Sequence, residues 1–247
     1  MKIIKPSYEI MTDISPFGTL ELESIERAAR VCYKSEDKIT DQAESAKKLI
    51  RKLIENGHEA MLEHGSLMMK FICDRGVSHE LVRHRMASFA QESTRYCNYG
   101  QDKFGNEITV VEPIEFEDIP KLNKEAIQLY TVSDIIMDHI LPPNEHCYWC
   151  WYDVCLNAEE NYLDMLEHGA TPQMARSVLP NSLKTEVVVT ANYREWRHIF
   201  DLRCNRAAHP EMRRLMLPLL KDLYGRIPVI FDDIYEKYLP EMETSVR

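Results

Sequence analysis

The chain has 247 residues, of which 45% are hydrophobic and 28% charged, and its formal net charge is -10 at pH 7. No apolar run approaches the roughly 18 residues that a membrane-spanning helix needs, so we expect no such helix. The acidic balance disfavours broad attraction to nucleic acid or anionic lipid, because both require a basic surface.

The N-terminal residues 1–6 carry no long apolar stretch and no small-residue cleavage site, so we expect no signal peptide. The seven cysteines are scattered and form no disulfide framework, which is typical of a reducing compartment. These features predict a cytoplasmic protein. The length favours a single domain spanning residues 1–247.

The first third of the chain predicts short strands alternating with amphipathic helices. Thr40 or Asp41 can cap a helix that Gly57 ends, and Asp74 or Ser78 can cap a later one that carries Leu81. The predicted elements are a strand at 2–5, helices at 20–33 and about 43–56, a strand at 66–73, and a helix that carries residues 81–85.

Residues 86–99 lack clean periodicity and predict a functional loop. Thr171 and Pro172 form a cap and first turn, and Pro218 predicts a kink. The remaining elements are strand and connection at 100–122, helices at 123–139 and 144–168, a short helix ending near 180, a strand at 183–191, and helices at 194–203 and 210–224. This order predicts an α+β fold with a mixed or antiparallel sheet packed against several helices.

Arginines cluster in two segments of this acidic chain, around residues 75–95 and 194–214. In the first, Arg83, His84 and Arg85 are followed by Ser93, Thr94 and other hydrogen-bond donors. Charge-assisted hydrogen bonds from arginine suit phosphate and pyrimidine recognition. A solvated basic helix end, favoured by the helix dipole, explains the same residues. The residues alone leave both interpretations open.

The segment resembles the signature of flavin-dependent thymidylate synthases, the ThyX family: Arg83-His84-Arg85, seven further residues and Ser93, with Ser88 and Arg95 extending it. Other segments agree in order, at 57–59, 63–64, 175–180, 192–194 and 202–203, so the resemblance covers about residues 20–215. It implies an FAD enzyme that methylates dUMP to dTMP, with methylenetetrahydrofolate as carbon donor and NADPH as reductant. It also implies a homotetramer with shared active sites and an FAD fold that is not a Rossmann fold.

Roles follow from the resemblance, residue by residue. Arg203 is the catalytic residue, because a fixed cation beside the uracil favours loss of the ring imide proton. His58 is expected near the flavin and folate. The cofactor-binding residues are Ala60, Arg83, His84, Arg85, Gln91, Asn192, Arg194 and His198. The substrate-binding residues are Glu80, Arg83, Gln91, Glu92, Ser93, Thr94, Arg95, Arg176 and Arg203.

Three positions depart from the family pattern. His198 stands where some members have asparagine, Ala60 where others have a hydroxyl residue, and residues 208–211 read Ala-His-Pro-Glu where the family often shows Ala-Gln-Trp-Glu. The chain has only 8 glycines and no Gly-x-Gly-x-x-Gly turn, so arginine side chains are expected to hold the FAD pyrophosphate.

Competing interpretations rest on fewer residues. Ser93 lies in no nucleophile motif, and no cysteine stands in the Pro-Cys-His context of classical thymidylate synthase, so no protein nucleophile is expected. No metal is expected either. The alternatives are zinc at Cys147, Cys150 and Cys155, a metal-dependent hydrolase using His58, Glu59, Glu63 and His64, and an arginine-rich nucleic-acid module stacking bases on Tyr96 and Tyr99.

Overall fold

The computed structural model describes residues 1–119 and 142–244, and the helix predicted at 123–139 lies outside the described residues. Within these ranges the chain forms six strands: β1 (Lys2–Ile4), β2 (Ser7–Ile10), β3 (Ser66–Asp74), β4 (Ala87–Gln91), β5 (Thr109–Val111) and β6 (Lys184–Asn192). Strands β2, β3, β6 and β4 form a small antiparallel sheet in that order, and β1 pairs in parallel with β5. The α+β prediction is therefore confirmed.

Eight α-helices accompany the strands within the described ranges: α1 (Thr19–Val31), α2 (Glu44–Glu55), α3 (Arg75–Leu81), α4 (Pro143–Glu167), α5 (Pro172–Ala175), α6 (Tyr193–Arg203), α7 (Pro210–Arg226) and α8 (Pro228–Thr244). None of the described helices combines the length and apolarity needed to cross a membrane. Helix α8 was not predicted from the sequence.

Local chemistry explains where the helices begin. The Thr40 hydroxyl accepts a hydrogen bond from the Ser45 amide at 3.1 Å. The residue at the cap position of α2 is Ala43, however, so the prediction that Thr40 or Asp41 caps this helix is wrong. The Asp74 carboxylate accepts from the Val77 amide at 2.8 Å, which makes Asp74 the cap of α3. Ser78 instead donates to the Arg75 carbonyl. Of the two predicted caps for α3, the structure selects Asp74. The helix ends at Leu81, so the prediction that it also carries residues 82–85 is wrong.

The loop predicted at 86–99 is wrong in its first part, because residues 87–91 form strand β4. Its inward positions are Ala87, Phe89 and Gln91, which are only half-buried. An apolar period of two is therefore weak in the sequence. Strands β3 and β6 bury every second residue, and both were predicted correctly.

The chain forms two compact units. Unit 1 comprises Met1–Pro6, Ile72–Ser78 and Gln91–Glu186, and unit 2 comprises Ser7–Phe71, His79–Ala90 and Val187–Arg247. In unit 1, β1 pairs with β5, and Tyr99, Tyr162, Cys155 and Leu183 belong to one buried cluster. Strands β3 and β6 each contribute residues to both units. The single domain expected over 1–247 stays a prediction.

The core of unit 2 is aromatic. Trp196 packs against Phe71 and Phe200, Phe231 contacts Phe200 and Tyr193, and all five side chains are buried. The Trp196 indole N–H donates to the Leu67 carbonyl at 3.1 Å, which satisfies its polar atom and ties α6 to β3. This packing fixes α6, the helix that carries most of the candidate site in unit 2.

Candidate active site

Five side chains of unit 2 form what we term the histidine–arginine cluster: Glu80, His84, Glu195, His198 and Arg203. Glu80 lies in the last turn of α3 and His84 in the turn that follows it, while the other three lie on α6. The Asn192 side chain caps α6 by accepting a hydrogen bond from the Glu195 amide at 2.8 Å. The cap and the buried Trp196 together fix the first turn of α6.

Arg203 is held on two sides within this cluster. Its Nε donates to Nε2 of His84 at 3.0 Å, and Nη1 donates to the Glu80 carboxylate at 2.6 Å. Nη2 donates to the Glu80 carbonyl at 3.0 Å. A guanidinium has five N–H groups, so one on each terminal nitrogen has no partner among the described residues. Arg203 is thus a fixed cation with two N–H groups that have no partner among the described residues.

His84 is buried, with 5% of its surface exposed. Burial lowers its pKa to about 4, and the positive charges of Arg203 and His198 act in the same direction. Its Nδ1 lies 3.5 Å from Oε1 of Glu195, and its ring meets that of His198 edge-on with centroids 5.9 Å apart. Burial also raises the pKa of Glu195, against the opposing effect of His198. His84 is therefore neutral at physiological pH.

Two clefts open beside the cluster, both within unit 2. One, of about 610 Å³, is lined by the predicted flavin-side residues Asn192, Arg194 and His198. The other, of about 810 Å³, is lined by Arg83, His84, Arg85 and Arg203. Met86, Glu195, His198 and Asp201 line both. Six predicted cofactor residues thus lie around two clefts that share a wall.

Arg83 and Arg85 are exposed, and neither side chain forms an ion pair or hydrogen bond with any described residue. Arg194 is also exposed, but its Nη1 binds the Glu63 carboxylate at 2.6 Å. Unpaired guanidinium groups at the rim of a cleft favour an anionic ligand, because no internal carboxylate neutralises them.

Most arginines of the second segment bind acidic side chains of the protein itself. Arg197 is buried and binds Asp233, Glu59 and the Ile230 carbonyl. The others pair with acids: Arg206 and Arg213 with Glu241, and Arg214 with Glu211. Arg197 and Arg213 thus link α6 and α7 to α8.

Unit 1 contains a second set of predicted residues, centred on Gln91. The Gln91 amide donates to Ser78 Oγ at 2.9 Å and to Thr185 Oγ1 at 3.2 Å. Arg75 donates to the same Thr185 hydroxyl at 3.2 Å. Because the NH2 group of Gln91 is bound, its carbonyl oxygen is the atom left for a ligand.

Residues after Gln91 meet the short helix α5. Arg176 Nη1 donates to the Thr94 hydroxyl at 3.3 Å, and Arg95 Nε donates to the Gln173 side chain at 2.8 Å. Ser93 Oγ accepts from the Arg95 amide at 3.4 Å. The structure therefore brings together four of the predicted nucleotide-binding residues within unit 1.

Glu92 has two partners of its own. Its carboxylate accepts hydrogen bonds from the Tyr99 hydroxyl and from Lys184 Nζ, each at 2.9 Å. Burial, followed by the charge of Glu92, raises the pKa of Tyr99. Burial lowers the pKa of Lys184, but hydrogen bonds to Glu186 and Glu92 outweigh it, so the net shift is upward. Both partners keep their protons at neutral pH.

The structure argues against the competing interpretations. Tyr99 is buried and bound to Glu92, so of the two proposed stacking platforms only Tyr96 is exposed. Glu59 and Glu63 pair with Arg197 and Arg194. Within residues 1–119 and 142–244, the one group of three close ligand atoms is His84, Glu195 and His198, and it includes no cysteine.

The guanidinium of Arg203 beside this trio disfavours a metal centre. Arg203 donates to Nε2 of His84, so the ring proton lies on Nδ1, the nitrogen that faces Glu195. A metal at Nδ1 would have to displace this proton beside a guanidinium charge.

Sequence reasoning missed several residues of the site. Glu195 matches an ordinary first-turn acid of a helix, which is why no signal marked it. Asp233 and Lys237 line the smaller cleft from α8, the helix that was not predicted. Ala60, by contrast, is exposed in the 3-10 segment Glu59–His64 and does not line either cleft.

The chain is similar to known proteins over most of its length. Residues 19–229 match the model of the family described as thymidylate synthase complementing protein. The chain is 34% identical over 220 residues to the flavin-dependent thymidylate synthase of Corynebacterium aurimucosum, covering 88% of this chain and 82% of the relative. It is 32% identical over 214 residues to the enzyme of that name from Mycobacterium marinum, covering 85% and 78%.

Proposed function

Because the chain belongs to the family of flavin-dependent thymidylate synthases, we propose that it methylates dUMP to dTMP with FAD as its cofactor. Methylenetetrahydrofolate is the proposed carbon donor and NADPH the reductant. The observation that carries the proposal is the state of Arg203: a cation fixed by Glu80 and His84 that keeps unused N–H groups.

The residues of unit 2 fit a flavin. Arg83 and Arg85 offer unpaired charge for a pyrophosphate, and the adjoining clefts present the hydrogen-bonding side chains of Asn192, Arg194 and His198. His84 is a further proposed cofactor residue of unit 2, while Ala60 offers only its backbone and methyl group. Gln91, in unit 1, is the remaining proposed cofactor residue. When bound, the reduced flavin supplies the hydride that completes the new methyl group. Since the chain has no glycine-rich turn, we propose an FAD fold that is not a Rossmann fold.

Arg203 is the proposed catalytic residue. Its two remaining N–H groups can donate to the pyrimidine and favour the deprotonated ring, whose C5 carbon is more nucleophilic. The Glu80 carboxylate and carbonyl hold the guanidinium in place. No protein nucleophile enters this mechanism. The buried thiols agree with it, because burial raises the pKa of Cys73 and Cys204 to about 12 and that of Cys155 to about 11.

The residues of unit 1 are proposed to bind the nucleotide. Arg176 and Arg95 are exposed cations beside the hydroxyls of Ser93 and Thr94, which suits a phosphate. Gln91 offers its carbonyl oxygen. The Glu92 carboxylate binds Tyr99 and Lys184. We therefore propose that Glu92 holds this segment in place, in addition to making the predicted contact with the substrate.

We further propose a homotetramer with shared active sites and no nucleic-acid partner, in keeping with the net charge of -10. The cytoplasmic location stays a prediction.

Purified protein tests the proposal directly. We expect a yellow preparation with flavin absorption, and we expect dUMP and methylenetetrahydrofolate to reoxidise the reduced cofactor anaerobically with formation of dTMP. A colourless protein that binds no added FAD would contradict the cofactor assignment. A flavoprotein whose reoxidation is indifferent to dUMP would contradict the reaction. Salt-sensitive binding of oligonucleotides would support the nucleic-acid alternative.

A further inference from the structure

Glu195 is the one member of the histidine–arginine cluster to which the family resemblance assigns no role. It lies on α6 among residues that are assigned to the flavin side. Only 11% of its side chain is exposed. The cap that Asn192 provides to its amide fixes its backbone, and its Oε1 faces Nδ1 of His84 at 3.5 Å. The carboxylate is therefore aimed at the imidazole from a rigid helix start.

The hydrogen-bond directions in this cluster follow from elementary chemistry. The Nε of an arginine always carries its proton and can only donate. The bond of 3.0 Å between Arg203 Nε and His84 Nε2 thus requires an unprotonated Nε2. In a neutral imidazole the proton then lies on Nδ1, where it faces the Glu195 carboxylate.

The other tautomer would remove this contact. A proton on Nε2 would face the N–H of Arg203, so two donors would oppose each other and the bond would be lost. Arg203 would then be held by Glu80 alone. An acceptor at the position of Glu195 selects the tautomer that keeps Arg203 fixed on both sides.

We propose that Glu195 is a positioning residue: its carboxylate accepts a hydrogen bond from Nδ1–H of His84 and so keeps Arg203 in its working orientation. The inference rests on the proposed function, since Arg203 is the catalytic residue of that proposal. It predicts that Glu195 affects turnover indirectly, through its contact with His84 and the hydrogen bond between His84 and Arg203.

A simpler role exists for the same side chain, because an acid in the first turn of a helix interacts favourably with the helix dipole. Two conservative variants separate the roles. Glu195→Gln keeps the length and an acceptor oxygen but removes the charge. Glu195→Asp keeps the charge but shortens the side chain, although the contact already measures 3.5 Å. The positioning role predicts that Gln is tolerated and Asp is not, whereas the dipole role predicts the reverse.

Two readouts apply to these variants. In protein labelled with 15N-histidine and free of flavin, long-range 1H–15N spectra distinguish the two tautomers, and His84→Gln identifies the His84 signals. We expect the Nδ1–H tautomer in the unmodified protein and in Glu195→Gln, and a shift toward Nε2–H in Glu195→Asp. In turnover assays with saturating dUMP, we expect kcat to fall about 10- to 100-fold in Glu195→Asp and to be largely retained in Glu195→Gln.

The outcomes separate the inference from the proposed function. An unchanged Nδ1–H tautomer in Glu195→Asp would overturn the inference, and so would an unchanged kcat in an active enzyme. If the unmodified protein formed no dTMP, the proposed function would fail. The tautomer spectra would then still decide whether Glu195 controls His84.

Discussion

Nε of Arg203 lies 3.0 Å from Nε2 of His84, so a guanidinium and an imidazole share one hydrogen bond inside unit 2. The bond exists only while His84 is neutral, because a protonated ring has no acceptor nitrogen. Burial, followed by the charge of Arg203, keeps the pKa of His84 low, so the ring stays neutral and can accept the hydrogen bond that helps to fix Arg203. Several measurable properties depend on it.

The first prediction concerns pH and stability. The pKa of His84 falls from an ordinary 6.5 to about 4 in the fold, so between these values the unfolded chain binds a proton that the native protein does not. Stability from this group is complete above pH 6.5 and is lost as the pH falls toward 4. We expect His84→Gln to reduce the loss in unfolding free energy between pH 7 and pH 5, measured by urea denaturation.

His168 provides the matched control. It is exposed at the end of α4, and the Asp164 backbone and carboxylate raise its pKa, which is a shift of opposite sign. Its contribution is present at low pH and is lost as the pH rises through its folded pKa. His168→Gln should therefore leave the loss at pH 5 undiminished. An equal effect of both substitutions would contradict the assignment to His84.

The second prediction concerns Arg203 itself. Arg203→Lys keeps a cation, but a lysine cannot bind His84, the Glu80 carboxylate and the Glu80 backbone carbonyl at the same time. We expect dTMP formation to fall by a factor that corresponds to about 3–4 kcal/mol of transition-state stabilisation, with the fold and the FAD content retained. Arg206→Lys is the control, because Arg206 is exposed and pairs with Glu241. A near-normal rate in Arg203→Lys would remove Arg203 from the mechanism.

The third prediction concerns the unpaired cations. Arg83→Ala and Arg85→Ala should each weaken FAD binding by about 1.5–3 kcal/mol, because each removes a charge-assisted contact to the pyrophosphate. Fluorescence titration of the flavin-free protein measures the dissociation constant. Arg27 is likewise exposed and has no partner among the described residues, but it lies on α1 away from both clefts. Arg27→Ala should bind FAD normally.

The sequence predicted those elements whose periodicity reflects burial. Strand β6 alternates Val187 and Val189 toward the core, so its pattern is plain. Strand β4 was missed because only Phe89 supplies a large apolar side chain at its inward positions. The candidate site likewise has residues that the sequence revealed and residues that it did not. A motif identified His84 and Arg203, but whether a charged residue meets a ligand or another residue depends on packing. Spacing alone therefore revealed neither the carboxylate partners of buried arginines nor the place of Glu195.

The fourth prediction concerns the nucleotide. Arg176 is exposed and donates to the Thr94 hydroxyl, a position suited to a phosphate. We expect Arg176→Ala to raise the dissociation constant of dUMP by about 10- to 150-fold, since a hydrogen bond to a charged group is worth about 1.5–3 kcal/mol. FAD binding should be unaffected. Lys103→Ala removes another exposed cation of unit 1, which rests on Phe104, and should leave dUMP affinity unchanged. Calorimetric titration with dUMP measures both variants.

The last prediction tests the packing of unit 2 without reference to a ligand. A Cβ atom at Gly65 would lie 2.3 Å from Cε2 of the buried Tyr193 ring, and the Tyr193 amide donates to the Gly65 carbonyl at 3.1 Å. Ring and backbone cannot both be retained, so Gly65→Ala should lower the unfolding free energy by about 1–3 kcal/mol. Gly225 lies within α7, and a Cβ atom added there would meet no atom within 4 Å apart from its chain neighbours and the backbone of its own helix. Gly225→Ala should instead stabilise the helix by about 0.5–1 kcal/mol. Urea midpoints that move in opposite directions would support this packing, whereas a neutral Gly65→Ala would show that Tyr193 packs elsewhere.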